Sequence, residues 1–279
     1  MRVAEPLASP CNAAWKAELR LDFRRDGGRT LLAEKRADGP LVVQKALYPE
    51  GEAVCHAIVV HPPGGIAGGD ELVLRVAARE AGHALLTTPG AAKWYRSAGP
   101  LARQRLDFEV GGSLEWLPRE SIVFDGALAE LHCAVQLRGE ARFIGWEVLC
   151  LGRAGSGEQF DRGRLGLQTA VSRDGALLWL ERGAIEGGGA LMRSPAGLGG
   201  RAVFGTMIAA CGAVSKDVVS KCRAETNEAT TLTQLPGVLI ARYLGDSSEQ
   251  AMQAFTRLWQ ILRPALIGRD AIVPRIWST

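Results

Sequence analysis

Strict alternation of apolar and polar residues runs through the first two thirds of the chain and limits its fold most strongly. In AELRLDFR, the apolar side chains Leu19, Leu21 and Phe23 alternate with charged ones. Successive side chains of a strand point to opposite faces, so this segment predicts a strand with one buried face. The same pattern recurs in ELVLRVAA, RQRLDFEV, LHCAVQLRG and ARFIGWEVLCLG, and ALLWLERG is a further apolar strand.

Turn signals lie between these strands, and the chain carries 34 glycines and 13 prolines. The turn signals are RRDGGR, ADGP, EVGGS, SRDGA and IEGGGA. Short strands joined by such turns, without helices between them, exclude a βαβ architecture. The sequence therefore predicts a mainly β body of a dozen or more strands.

One segment near the C-terminus has a helical period instead. From 247 to 262, SSEQAMQAFTRLWQIL places apolar residues such as Phe255 and Trp259 at three- and four-residue spacing, which predicts an amphipathic helix. Ser247 and Gln250 form a capping box at its start, and Pro264 is expected to end it. SKDVVSKCRAE is a weaker helical candidate, and GRDAIVPRIWST is expected to form an extended, exposed arm.

No repeat or linker divides the chain, so we predict a single domain over residues 1–279. Its β-rich body spans about 1–245, and a C-terminal helix and arm span about 246–279. The first fifty residues carry no sharp motif and are assigned no role beyond strands.

Composition narrows the class of protein. A formal net charge of +3 over 279 residues is too small to argue for nucleic acid or an anionic membrane as a partner. The longest uncharged apolar stretch, 202–215, is shorter than the roughly 20 residues that span a bilayer, and the first residues do not resemble a signal peptide. The expected location is therefore the cytoplasm, where six cysteines without a C-x-x-C pair are expected to be free thiols.

The stretch VCHAIVVHPPGGIAGGDELVLRV raises three possibilities: a metal site, a phosphate-binding loop or a backbone corner. His56 and His61 are five residues apart, so a regular strand would place them on opposite faces and prevent shared ligation. Neither G-x-x-x-x-G-K-[ST] nor G-x-G-x-x-G is present. Shared metal ligation and these two phosphate-binding loops are therefore disfavoured, and the role of the stretch stays open on these residues alone.

Three carboxylates are candidate ligands for a cation: Asp70, Glu120 and Glu147. Glu147 lies in the apolar run FIGWEVLCLG, where a charge is costly unless it is paired or binds a ligand. It could form a salt bridge with Arg153 or Lys93. Alternatively, it could be a polar point in a tunnel that briefly holds a divalent cation.

A hydrolase remains an alternative. The nucleophile elbow G-x-S-x-G is absent, and Ser97 has no obvious histidine partner nearby in the sequence. Residues of a catalytic triad are brought together by the fold, however, so a β-rich hydrolase using Ser97 or Asp161 in a cleft is compatible with the sequence. A generic β-scaffold that binds other proteins is a third possibility.

Five motifs in order carry a resemblance to a known family. They are EAVCHAIVVHPPGGIAGGD, TTPGAAKWYRS, WLPRESIVFDGA, GWEVLCLGR followed by GEQFDRG, and LRPALIGRDAIVPRIWST. Together they resemble the urease accessory proteins called UreD or UreH, from about Val54 to the last residue. The resemblance implies a helically wound, many-stranded β body with about two α-helices, and a chaperone rather than an enzyme. It also implies that the stretch from Val54 to Val76 is a tight backbone corner of this body.

The resemblance also implies partners and a cargo. The family binds the urease apoprotein and recruits a helical accessory protein, UreF, which docks the nickel-binding GTPase UreG. Nickel is expected to reach the urease active site partly through an interior channel. No tightly bound cofactor is implied, only Ni²⁺ in transit.

A channel for Ni²⁺ needs weak oxygen ligands, because a closed cage would trap the ion. Asp70, Glu120 and Glu147 lie in the matched motifs and are the candidates for this path. His61 is a further candidate ligand, and Lys93 is a possible charge partner.

The C-terminal helix and arm are the candidate surface for the helical partner. Helix docking uses apolar anchors at three- and four-residue spacing, and tryptophan and arginine are frequent in binding hot spots. The candidate contacts are Phe255, Trp259, Arg275 and Trp277. The alternative is that Phe255 and Trp259 cover the protein's own sheet. Truncation after Arg269 is expected to abolish partner binding.

Overall fold

The computed structural model describes residues 14–278, and within them 17 strands form two sheets. The first eight strands are β1 (Lys16–Asp26), β2 (Arg29–Asp38), β3 (Val42–Leu47), β4 (Cys55–Val60), β5 (Glu71–Ala78), β6 (His83–Thr87), β7 (Ala92–Trp94) and β8 (Ala102–Val110). The others are β9 (Ser113–Leu117), β10 (Ser121–Val123), β11 (Leu128–Leu137), β12 (Arg142–Leu151), β13 (Arg164–Arg173), β14 (Ala176–Glu186), β15 (Val203–Ala210), β16 (Thr230–Leu235) and β17 (Val238–Gly245). The α-helices are α1 (Ala190–Arg193), α2 (Lys216–Ala224) and α3 (Ser248–Ile267). The mainly β fold predicted from the sequence is confirmed.

The chain winds alternately through the two sheets. Sheet A has the order β14-β13-β11-β8-β5-β1-β2, and sheet B has the order β16-β17-β15-β12-β9-β6-β4-β3. Strand β10 also pairs with β12, and β7 pairs with β10. The central strands of sheet A (β1, β5, β8, β11 and β13) are parallel, as are β4, β6, β9 and β12 of sheet B. Parallel neighbours need a crossover. Here each crossover passes through a strand of the other sheet, which gives the helically wound body.

The first core lies between the sheets and follows the predicted alternation. Along β5, Leu72, Leu74 and Val76 are buried, whereas the residues between them are half-buried. Phe108 of sheet A lies 5.8 Å from Trp116 of sheet B, measured between ring centroids. The period-two pattern therefore identifies the faces that meet in the interior.

A second core lies on the other face of sheet B, where α3 packs against β12 and β15. Trp146 is buried on this face, and its ring centroid lies 6.2 Å from that of Phe255 in the helix. Both faces of β12 are thus covered. A strand covered on both faces needs apolar residues at successive positions, which explains the continuous run around Trp146.

Helix α3 begins as predicted but ends later. The Ser247 side chain accepts a hydrogen bond from the Gln250 N–H, 3.2 Å away. The prediction that Pro264 ends the helix is wrong, because the helix continues for one turn to Gly268, whose φ is 78°. Proline removes one N–H, but the Gly268 N–H donates to the carbonyls of Arg263 and Pro264 and closes the last turn. The weaker helical candidate forms α2.

The C-terminal arm differs from the sequence expectation in its shape and in the exposure of its tryptophan. Trp277 lies in a short 3₁₀ turn, Arg275–Ser278, and is half-buried against the second core rather than exposed on an extended arm. The strand in ALLWLERG forms at the edge of sheet A, where Leu177 and Leu180 are 60% and 52% exposed. An edge strand has a neighbour on one side only, so its apolar residues lack the cover found inside the sheet.

Free thiols occur at five cysteines: Cys55, Cys133, Cys150, Cys211 and Cys222. Cys11 and the N-terminal residues considered for a signal peptide lie outside the described residues. Within residues 14–278, no helix is both long enough and apolar enough to cross a membrane.

Candidate functional site

Two adjoining cavities lie between the sheets. The larger, which we call the outer cavity, has a volume of about 500 Å³ and is bordered by the loops after β4 and β6. The smaller, the inner cavity, has a volume of about 70 Å³ and lies between β11, β12, β13 and β15. Gln104, Leu106 and Trp116 line both cavities, so a shared wall connects the loops at one end to the middle of the β body.

Glu147 of β12 lines the inner cavity. Burial raises the pKa of its carboxyl group to about 7, although the Ser121 hydroxyl donates a hydrogen bond to Oε1 at 3.0 Å. Neither salt bridge considered from the sequence forms, because Arg153 pairs with Glu158 at 2.6 Å and Lys93 has no ion pair within residues 14–278. Glu147 is therefore a carboxyl group in a cavity without a charge partner among the described residues.

A thiol shares the inner cavity with this carboxyl group. Cys133 of β11 lines the same space, and burial, followed by the nearby Glu147 charge, raises the pKa of the thiol to about 12. The thiol is thus protonated at neutral pH. It is a neutral sulfur donor, which is a weaker metal ligand than a thiolate.

His61 and Lys93 lie at the outer cavity. His61 Nε2 is buried and has no hydrogen-bond partner among the described residues. Burial lowers the pKa of His61, against an opposing effect of the Asp70 charge. Lys93 is exposed at the rim of the cavity. The structure therefore places these two residues at one cavity and Glu147 at the adjoining one.

Asp70 has a structural place in the corner between β4 and β5. It is 3% exposed, and its two carboxylate oxygens accept hydrogen bonds from the backbone N–H groups of Trp15 and Ala67, each at 2.8 Å. Gly64 and Gly69 adopt φ of 75° and 95° in this loop, where residues with a Cβ would be strained. The stretch examined in the sequence is thus a backbone corner, and Asp70 fastens it to the start of β1.

Glu120 lies just before β10, where its backbone carbonyl accepts a hydrogen bond from the Ala92 N–H at 2.9 Å. Its Oε2 is 3.5 Å from Arg119 Nε. Neither Asp70 nor Glu120 is among the described residues that line the two cavities. Across residues 14–278, no three His, Cys, Asp or Glu side chains are grouped as a metal site. The nickel role of all four candidate ligands remains a prediction.

The contacts of Ser97 do not support the hydrolase alternative. The Ser97 hydroxyl donates to the Pro100 carbonyl at 2.5 Å and accepts a hydrogen bond from the Gly99 N–H at 3.0 Å. Among the described residues, both hydrogen bonds of the Ser97 hydroxyl are to backbone groups, and neither is to a side chain that could act as a general base. Asp161 is exposed, and its backbone N–H donates to Asp125.

A buried ion network, which the sequence analysis missed, joins α3 to sheet B. Arg263 Nε lies 3.0 and 3.1 Å from the two carboxylate oxygens of Glu115, and Arg263 Nη2 lies 2.8 Å from Glu50 Oε1. His83 Nε2 is 2.7 Å from Glu115, and His56 Nε2 is 2.6 Å from Glu50. Both glutamate side chains and the arginine are at most 4% exposed. The network therefore fastens the helix to the sheet through paired, desolvated charges.

The buried ion network predicts a loss of stability in acid. Burial alone would raise the pKa of Glu50, but hydrogen bonds from His56 and Arg263 outweigh it and lower the pKa from 4.5 to about 2. A lowered acid pKa stabilises the folded state above the ordinary pKa, and this stabilisation is lost as the pH falls from about 4.5 towards 2. Urea unfolding between pH 7 and pH 3 should show this fall. Glu50→Gln should lower the free energy of unfolding at pH 7 by about 1–3 kcal/mol. The free energy of unfolding of this variant should also fall less steeply between pH 4.5 and pH 3. If the free energy of unfolding fell equally steeply with pH in Glu50→Gln and in the unmodified chain, this account would be contradicted.

The candidate partner contacts Phe255 and Trp259 are fully buried in the second core. They cover the protein's own sheet, which was the alternative interpretation of their spacing. In this conformation a partner cannot contact these two side chains directly, because both are 0% exposed.

The arm after α3 offers the accessible part of the predicted docking surface. Trp277 Nε1 donates to Thr87 Oγ1 at 2.8 Å, and its ring centroid lies 5.8 Å from that of Trp146. Arg275 is exposed, and Ile272 and Val273 are 44% and 40% exposed. The sequence analysis did not select the Ile-Val pair, although an apolar pair before a proline in a C-terminal arm is a visible signal.

Comparison with known proteins places the chain in a family. The family model described as UreD urease accessory protein matches residues 16–278. A protein of Dechloromonas aromatica (strain RCB) named urease accessory protein UreD is 51% identical, over 99% of this chain and 98% of that protein. A protein of the same name from Azoarcus sp. (strain BH72) is 53% identical, over 95% of this chain and 94% of the relative.

The similarity extends to a third bacterium. The protein of that name from Pseudomonas aeruginosa is 50% identical, over 95% of this chain and 96% of the relative. All three relatives are named accessory proteins, and the matched length includes both sheets and the C-terminal helix. The resemblance carried by the five motifs is therefore confirmed, and the chain belongs to the UreD family of urease accessory proteins.

Proposed function

We propose that this chain is a non-enzymatic chaperone that takes part in inserting nickel into the urease active site. The match to the UreD family over residues 16–278 carries this proposal, because it includes nearly all of the chain and the relatives are named urease accessory proteins. The expected place of action is the cytoplasm, where the thiols would stay reduced.

The proposed complex contains the urease apoprotein, a helical UreF-like protein and, through it, a UreG-like GTPase. In this arrangement GTP hydrolysis belongs to the GTPase, and this chain supplies a rigid β scaffold. The exposed arm with Ile272, Val273 and Arg275 supports a docking role, since apolar residues beside an arginine form effective contacts in interfaces.

The two adjoining cavities support the proposed interior route for Ni²⁺. Glu147 would be the oxygen ligand of the inner cavity, and His61 would be a nitrogen ligand of the outer one. Asp70 and Glu120 do not line either cavity. They would bind Ni²⁺ only if the loops that carry them changed conformation. Single, weak ligands suit an ion that must leave again.

Co-purification tests the proposed partners. A tagged copy of this chain, expressed with the urease subunits and the other accessory proteins, should retain the urease apoprotein and the UreF-like protein. Retention of the GTPase should depend on the UreF-like protein. If the chain retains neither urease nor the UreF-like protein, the proposal fails.

Arg275→Glu should weaken capture of the UreF-like protein about tenfold without changing the thermal unfolding midpoint, because Arg275 is exposed. Truncation after Arg269 is a less specific test, since it also removes the bond between Trp277 and Thr87. Arg36→Glu, an exposed substitution on β2 at the far edge of sheet A, is the matched control. Equal capture of the UreF-like protein by the unmodified chain, Arg275→Glu and Arg36→Glu would exclude Arg275 from the interface.

A further inference from the structure

Three loops at one end of sheet B meet around Asp125. They follow β7, β10 and β12, which are parallel neighbours, so the C-terminal ends of these strands lie side by side. Asp125 is 8% exposed and accepts hydrogen bonds from the backbone N–H groups of Asp161 and Arg162, at 3.1 and 2.8 Å. The Arg162 guanidinium group also donates to Asp125 Oδ2, and Arg96 Nη2 lies 3.5 Å from the same oxygen. One buried carboxylate therefore fixes the positions of two arginines from different loops.

Two aromatic rings lie beside these arginines. The ring centroids of Tyr95 and Phe124 are 5.1 Å apart in an edge-to-face arrangement, and Tyr95 is 39% exposed. The Arg153 guanidinium group lies over the Phe124 ring, 4.6 Å from its centroid, and Arg153 Nη2 is 2.6 Å from Glu158 Oε2. We call Tyr95, Arg96, Phe124, Arg153 and Arg162 the arginine platform.

The arginine platform presents its cations to solvent and keeps the paired carboxylates beneath them. The side chains of Arg96, Arg153 and Arg162 are 63%, 47% and 68% exposed, whereas those of Asp125 and Glu158 are 10% and 19% exposed. The carboxylates hold the guanidinium groups in place before any partner binds, which lowers the ordering cost of an interface. Arginine and tyrosine are also frequent among the residues that dominate binding energy. The platform therefore has the composition and the rigidity of a protein-binding surface.

The arginine platform adjoins the outer cavity. The Tyr95 ring packs on Gly65 of the cavity wall so closely that a Cβ on this glycine would lie 2.1 Å from the ring. Lys93, which also lines the cavity, adds a further cation, and Asp161 is the one exposed carboxylate in the three loops as described. Like charges repel, so Ni²⁺ that leaves on this side meets an unfavourable field unless an anionic surface covers the platform. The distribution of charge thus favours an acidic partner.

We propose that the arginine platform is the surface that binds the urease apoprotein, and that acidic residues of urease face its guanidinium groups. This inference rests on the proposed function, and it adds the location and the charge of the contact. The C-terminal arm, which is assigned to the UreF-like protein, packs against the second core on the other face of sheet B. The two partners therefore use different surfaces of the chain. Carboxylates above the platform neutralise the field that Ni²⁺ meets on leaving the outer cavity.

Biolayer interferometry of the purified chain with urease apoprotein and, separately, with the UreF-like protein tests the location. The double variant Arg96→Gln/Arg153→Gln removes two exposed charges and should weaken urease binding at least about tenfold. Its affinity for the UreF-like protein should not change, which also shows that the variant is folded. Arg20→Gln/Arg105→Gln is the matched control, because these arginines are 54% and 60% exposed and pair with carboxylates on sheet A. The control should bind both proteins as the unmodified chain does.

The outcomes separate this inference from the proposed function. If the unmodified chain binds urease and Arg96→Gln/Arg153→Gln binds it equally well, the arginine platform is not the contact, and the proposed function stands. If the control variant is weakened as much as the platform variant, binding depends on overall charge, and the assignment is refuted. If the unmodified chain binds neither urease nor the UreF-like protein, the proposed function itself fails.

Salt dependence gives a second measurement that needs no variant. Urease binding by the unmodified chain should weaken at least about tenfold between about 0.1 M and 1 M NaCl, because the Debye length falls from about 10 Å to about 3 Å. Binding of the UreF-like protein should weaken less, because the exposed contacts of the arm include the apolar Ile272 and Val273. Urease binding that does not weaken with salt would contradict a contact between the arginines and acidic residues.

Discussion

Glu147→Ala is expected to lower the nickel content of urease about tenfold in cells that express the complete maturation system. Among the described residues that line the inner cavity, Glu147 carries the one carboxyl group, so its removal leaves this space without an anionic ligand. Glu147→Gln should cause a similar loss, because an amide keeps the shape of the side chain but cannot become an anion. Nickel per urease active site, measured by mass spectrometry of the purified enzyme, provides the test.

Glu140→Ala is the matched control for this experiment. Glu140 lies in the exposed turn between β11 and β12, the two strands that carry Cys133 and Glu147. The control variant should load urease with nickel as the unmodified chain does. Full nickel loading by both Glu147 variants, with soluble chain in equal amounts, would rule out the inner cavity as the route.

Arg263→Met is expected to lower the free energy of unfolding by about 3–5 kcal/mol. The substitution leaves the Glu115 and Glu50 carboxylates buried without their shared cation, and it removes the hydrogen bond from Arg263 to the Asp270 carbonyl. Removing one partner from a buried ion pair is costly because the remaining charge stays desolvated. Urea unfolding at pH 7 measures this difference, and the C-terminal arm should become more accessible to proteases.

Arg257→Met is the matched control, because it changes an arginine on the same helix. Arg257 is 43% exposed and pairs with Glu225 at 3.4 Å, so its loss should cost less than about 1 kcal/mol. If the two variants were equally stable, the buried ion network would not be what fastens α3 to sheet B.

Much of the β body follows from local sequence. The alternating segments around Leu19, Leu74 and Phe108 form strands, and their apolar residues face the first core. The Ser247 cap begins α3 as predicted. These features depend on residues that are close in the sequence, so hydrophobic periodicity and capping residues predict them.

The helix end and the docking residues depend on distant parts of the chain. Pro264 was expected to end α3, but burial of Leu266 and Ile267 in the second core favours one further turn. An apolar helical stripe does not reveal whether it covers its own sheet or a partner, and Phe255 covers its own.

The buried ion network is the feature that was hardest to predict from the sequence, because its members are far apart in the chain. Arg263 and Glu115 are 148 residues apart, and Arg263 and Glu50 are 213 apart. One local signal was available, because Arg263 lies four residues after Trp259 on the apolar face of α3. A charge at such a position indicates a buried partner, but local sequence does not identify it.

The maturation role itself is tested most directly by urease activity in nickel-supplemented cells that express the urease subunits and the other accessory proteins, with and without this chain. Urease protein must be equal in the two samples, as measured by immunoblot. We expect activity only when the chain is present, with apoenzyme accumulating in its absence. Equal activity in both samples would contradict the account.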